Sequence, residues 1–116
     1  MAGEKNFETR LRRWPDQQGV WHVKFFANRN TRSGVPDVLA CVNGRFVGIE
    51  VKGPGGKPPP LQLYHIGKIW ESGGIGVVVW PEDFDRLKEL VGRLKEGGGQ
   101  DVQDLVFEGR YLHPMP

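Results

Sequence analysis

The dipeptide Asn43-Gly44 constrains this chain more than any other feature. It separates two runs that read as strands, Val35 to Val42 and Arg45 to Lys52. Asn-Gly is the strongest short-range signal for a two-residue hairpin, because both positions of that turn need a positive φ. The hairpin lays the Asp37 end of the first strand beside the Glu50 end of the second. Side chains alternate faces along a strand, so Glu50 and Lys52 share one face while Ile49 and Val51 take the other. Two carboxylates and an ammonium group therefore converge at one end of a sheet.

Such a grouping needs a cause, since Asp, Glu and Lys are depleted in strands and rarely buried without partners. Two carboxylates held close repel, and one is pushed towards its protonated form. A divalent cation removes the conflict. Mg²⁺ takes oxygen ligands, keeps several waters, and commonly sits on one or two carboxylates plus a substrate phosphate. Bound there it would polarise phosphoryl oxygens and acidify a water, and Lys52 could orient that water or offset transition-state charge. The plainer alternative is an Asp in a turn with a surface Glu/Lys pair on an edge strand. The short Asp…Glu-x-Lys string does not by itself separate the two.

The rest of the chain sets a coarse order α-β-β-β-α-β-α. Phe7, Leu11 and Trp14 recur at helical spacing, and Pro15 is expected to stop that helix. Val20 to Phe26 reads as a strand, and Asn28 to Gly34 as a polar, basic loop. Gly53 to Pro60 is a stiff connection into a helix from Leu61 to Ser72, closed by Gly73-Gly74. Ile75 to Trp80 is almost wholly apolar, as for a strand buried on both faces. Pro81 opens a last helix whose Phe84, Leu87, Val91 and Leu94 form a stripe suited to packing on the sheet. The division expected is a domain over 1–96 and a Gly hinge and tail over 97–116, docked on the domain or on a partner copy.

The 116 residues suffice for one domain with a modest core. No apolar run is long enough to span a bilayer and no signal-peptide core is visible, so no membrane role and a cytoplasmic location are expected. The single Cys41 lies in an apolar strand and reads as a buried thiol. With one cysteine and three scattered histidines, a structural zinc site is disfavoured. Sixteen basic against fourteen acidic side chains make a net charge of +2, so this is no indiscriminate polycation. The basic groups do concentrate early, with Arg10, Arg12 and Arg13 on the first helix, Arg29 and Arg32 before Asp37, and Lys52 and Lys57 after it. A basic side near the carboxylates suits a phosphate backbone, although about half of these charges would read equally well as solvated helix faces.

Beyond the bare core, Glu4 to Leu11, His22-Val-Lys24-Phe, Gly34-Val-Pro-Asp37, Gly44-Arg-Phe-Val, Glu50-Val-Lys52, Pro54-Gly-Gly, Leu61-Gln62 and Gly76 to Trp80 occur in a telling order. In these the chain resembles the VRR-NUC family of the PD-(D/E)xK nuclease superfamily, over residues 4 to 80. The resemblance implies a restriction-endonuclease-like α/β core, a mixed central sheet flanked by helices. It implies that Asp37, Glu50 and the Val51 carbonyl hold one or two Mg²⁺ or Mn²⁺ ions, with Lys52 and the helix-borne Gln62 positioning the attacking water. Glu8 would add a third carboxylate, with Glu4 as its rival. Lys24, Arg29, Arg32 and Lys57 are candidate phosphate contacts; Lys24 could instead simply edge the sheet. His65 reads as a helix histidine rather than a general base.

The activity implied is metal-dependent hydrolysis of DNA phosphodiesters. No base-reading module is present, so selectivity for DNA structure is expected. Small stand-alone members of the family are associated with homodimers that cut four-way (Holliday) junctions, in bacteria or phage-infected cells. Flap cleavage or nicking of duplex is the nearest competitor. A module of the same fold that grips DNA without cutting is the alternative from another class.

Overall fold

The computed structural model describes residues 2–97, with side chains from Asn6 onward. The tail beyond Gly97, expected to dock on the domain or a partner, lies outside the described residues, as does the Glu4 side chain. Helix α1 (Ala2–Gln17) leads into strands β1 (Trp21–Lys24), β2 (Val38–Val42) and β3 (Arg45–Val51). Helix α2 (Pro60–Glu71), strand β4 (Ile75–Val79), a 3₁₀ turn (Pro81–Asp83) and helix α3 (Phe84–Lys95) follow. The strands form one mixed sheet in the order β1-β2-β3-β4.

The hairpin expected at Asn43-Gly44 is present. Asn43 and Gly44 have φ of 51° and 81°, and Val42 faces Arg45 across the turn. β1 pairs antiparallel with β2, and β4 runs parallel to β3 after the crossover through α2. Alternation sorts the side chains as the hairpin requires. Val38, Ala40, Val42, Val47, Ile49 and Val51 join Val77 and Val79 in the main core, beneath Phe7 and Leu11 of α1 and Leu87, Leu90, Val91 and Leu94 of α3. The opposite face is covered by α2 over β3 and β4 alone, where Ile66 meets Val78 and Trp80. Three fully buried Val/Leu/Ile side chains already represent several kcal/mol of apolar burial, at ~1.5–3 kcal/mol each.

Four expectations are corrected. Helix α1 continues past Pro15 to Gln17, because a proline this close to a helix end removes little of the ladder; Gly19, at φ 70°, ends the turn. β1 stops at Lys24 rather than Phe26, although Phe25 N–H still donates to the Asp37 carbonyl at 2.8 Å. β2 begins at Val38 and not at Val35, since Pro36 has no N–H for the ladder. Cys41 is exposed rather than buried. It lies on the α2 side of β2, where the helix does not reach, beside exposed Trp21 and Phe46.

Two close approaches hold the Gly34–Asp37 segment against the rest of the domain. Gly34 has φ 83°, and a Cβ there would lie 2.7 Å from Leu61 Cγ on α2. A Cβ on Gly48 would lie 2.8 Å from Ile69 Cδ1 and 3.1 Å from Pro36 Cγ. Glycine at both positions lets α2 and the Pro36 ring settle directly on the hairpin, which carries Asp37 to the end of β3.

Candidate active site

Asp37 precedes β2 and Glu50 is the penultimate residue of β3, so the Val38–Ile49 pairing brings them side by side. The Val51 N–H donates to Asp37 Oδ2 at 3.0 Å and fixes that carboxylate over the end of β3. Lys52 Nζ lies 3.5 Å from Glu50 Oε2, on the face that alternation predicts for both. The backbone N–H of Lys52 donates to the Val79 carbonyl at 2.9 Å, which continues the parallel ladder one residue beyond β3. Asp37, Glu50, Val51 and Lys52 are thus assembled by sheet register alone.

Glu50 is the unusual member. It is only 2% exposed, and its Oε1 is buried without a hydrogen-bond partner among the described residues. Burial, then the neighbouring Asp37 charge, pushes its carboxyl up from 4.5 to about 8, while Lys52 pulls the other way. A carboxylate oxygen left without donors, beside a second carboxylate anchored by a backbone amide, fits a hard divalent cation that accepts oxygen ligands. The donor set is therefore suited to Mg²⁺ or Mn²⁺.

The residues expected around this core divide. Lys24, expected at DNA or at the sheet edge, is held by the Glu8 carboxylate and lies 3.9 Å from Asp37 Oδ1. Glu8 reaches the site only through that ammonium, from the α1 side of the sheet, whereas Glu50 lies on the α2 side. Among the described residues no three acidic, histidine or cysteine side chains form a cluster that could hold a metal. Glu8, expected as a third carboxylate, is here paired with Lys24. Gln62 lies in the first turn of α2 with its Oε1 buried and without a donor; no bond links it to Asp37, Glu50 or Lys52. Arg29 and Arg32, before Asp37, and Lys57, after Lys52, are exposed outside the helices and strands, in no ion pair among the described residues. His65, half-buried on α2, lies edge-on to Tyr64.

Two contributors were not singled out from the sequence. Trp80 Nε1–H donates to the Gly56 carbonyl at 2.9 Å, tying the connection after Lys52 to the end of β4. Asp83, fully buried, accepts the Trp80 N–H at 3.0 Å and fixes that corner. Pro81 marked a helix start in the sequence, but the full burial of Asp83 had no local signal.

No protein-family model matches the chain. It is 34% identical over 61 residues to a protein named "Putative nuclease p44" from Acyrthosiphon pisum secondary endosymbiont phage 1. That alignment spans 52% of this chain and 66% of the phage protein. Among the described residues no helix is long and apolar enough to cross a membrane.

Proposed function

We propose that this chain is a metal-dependent, structure-specific DNA endonuclease of the VRR-NUC type, with a PD-(D/E)xK site. The observation that carries the reading is the meeting of a buried, donor-starved Glu50 with Asp37 and Lys52 at one end of the sheet. Asp37, Glu50 and the Val51 carbonyl would hold Mg²⁺ or Mn²⁺. When bound, the cation would polarise the scissile phosphate and lower the pKa of a water.

This chain's own groups do the remaining work. Lys52, kept half-buried beside Glu50, orients the attacking water and offsets charge gathering on the phosphoryl oxygens. Gln62 supplies a second polar contact to that water or to a phosphate oxygen. The water adds to phosphorus as one P–O ester bond breaks, leaving one strand end with a hydroxyl and the other with a phosphate. Arg29, Arg32 and Lys57 contact phosphates and position the strand without reading bases.

The substrate proposed is a four-way junction cut by a homodimer, since two-fold symmetry would set two sites on one branched molecule. The uncovered apolar strip formed by Trp21 and Phe46 supports a partner copy. Cleavage of labelled four-way junction, flap, nicked duplex, plain duplex and single strand, with Mg²⁺ or Mn²⁺ and with EDTA, tests the reading. Symmetric, metal-dependent junction cuts that disappear in Lys52→Ala are expected, with a dimer by light scattering. Preference for flaps or nicks would keep the nuclease and discard the resolvase. Binding of the junction without cleavage of any substrate would replace it with a non-cleaving DNA-binding module.

A further inference from the structure

Around the sheet edge from Glu50 lies a second basic feature that the catalytic reading does not use. Helix α1 and strand β1 enclose a pocket of about 510 Å³ lined by Arg12, Arg13, Asp16, His22 and Lys24. Its construction is local. Arg12, Arg13 and Asp16 lie within five residues and just over one turn of α1, and alternation turns His22 and Lys24 of β1 towards that helix. Asp16, the only acid lining it, is engaged by His22 Nε2 at 2.8 Å. Lys24 is engaged by Glu8. Arg12 and Arg13 enter no ion pair among the described residues, and the half-buried Arg12 has an Nε without a partner. Their neighbour Arg10 behaves differently: its guanidinium lies over the Phe7 and Phe84 rings, 5.8 and 5.7 Å from their centroids.

We infer that this pocket is a second phosphate subsite, taking a backbone phosphate of the nucleic-acid strand whose scissile phosphate lies at Asp37 and Glu50. The inference rests on the nuclease reading for its placement. Guanidinium groups match phosphate oxygens in a planar, two-pronged geometry, and two of them here lack a carboxylate. Lys24 joins the two places, since it lines the pocket and sits 3.9 Å from Asp37. The pocket would therefore hold a phosphate flanking the scissile one, around the β1 edge on the α1 side.

The test is equilibrium binding of the full chain to the four-way junction and to plain duplex across a salt series, in EDTA so that cleavage does not intervene. Arg12→Ala/Arg13→Ala is compared with Arg10→Ala, which removes a charge from the same helix outside the pocket. The double variant is expected to bind about 10-fold more weakly and to flatten the slope of log affinity against log salt by roughly 1–2. Arg10→Ala should match the wild type, and circular dichroism should show both variants folded. Equal weakening by Arg10→Ala would mean net charge alone is at work and overturns the pocket. Wild-type affinity and slope in the double variant overturn it as well. If the double variant weakens binding but the wild type cuts nothing with metal present, the pocket stands and the nuclease reading falls.

Discussion

The two halves of the sheet are built to different rules. β3 and β4 are covered on both faces, and there Glu50 is almost wholly removed from solvent. β1 is an open edge whose outward side chains, Trp21 and Val23, are exposed and whose inward ones, His22 and Lys24, face carboxylates at the margin of α1. A charge on the covered half must be neutralised, by a proton or by a cation, because little solvent reaches it. On the open half the groups are met by side-chain partners instead, His22 by Asp16 and Lys24 by Glu8. The contrast separates a rigid place for chemistry from a permissive place for holding a polyanion.

The sharpest way to break this contrast is to remove one acid from each half. Glu50→Ala should lower metal-dependent cleavage by about 10³-fold or more, in line with losing a group that acts on the transition state. Glu8→Ala should lower it by less than about 10-fold, because Glu8 meets Lys24 and not the carboxylate pair. Equal losses in single-turnover assays would put Glu8 into the metal set and merge the two halves.

Stability against pH sharpens it next. The Glu50 carboxyl is raised to about 8 in the fold from its ordinary 4.5. A raised acid binds its proton more tightly when folded, so its contribution is fully present below about pH 4.5 and is lost as pH climbs towards 8. Glu50→Gln should therefore stabilise the metal-free protein at pH 8, by an amount on the order of a few kcal/mol, and change little at pH 4.5. Denaturant melts at the two pH values decide it; a variant destabilised equally at both would mean that the buried charge is not the cause.

Mn²⁺ should raise the melting temperature more at pH 8 than at pH 5, since a cation binds the ionised pair and binding to the folded state stabilises by mass action. A shift that ignores pH, or persists undiminished in Asp37→Ala, would argue for binding elsewhere. The smallest effects concern packing. Gly48→Ala, with its Cβ 2.8 Å from Ile69 on the covered half, should destabilise by ~1–3 kcal/mol. Trp21→Ser on the open half should change monomer stability by no more than about 0.5 kcal/mol. Similar values for both would show that the open half is less exposed in solution.

Much of the covered half was legible from the chain. Asn43-Gly44 announced the hairpin, the apolar run Ile75 to Trp80 announced a strand buried on both faces, and the Phe84-Leu87-Val91-Leu94 stripe announced a helix on the sheet. These signals are local, and local backbone preferences with simple periodicity suffice to read them. Cys41 was misread because its burial depends on how far α2 extends across the sheet, which no pattern within β2 encodes. The pairing of Glu8 with Lys24 had no local signal for a related reason: the two lie on different elements that only the fold brings together.

By itself, the order of residues determined that Asp37, Glu50 and Lys52 would meet, because a two-residue turn and the two-residue period of strands leave no other register. Only the tertiary structure decided what that meeting means energetically. Burial at the covered end of the sheet leaves Glu50 2% exposed, and desolvation, ahead of the neighbouring Asp37 charge, is what raises its carboxyl. α2 stops short of β1 and β2, which leaves Trp21 and Cys41 exposed on that face. A solvent boundary is a property of three-dimensional coverage, and coverage is set by elements far apart in the chain.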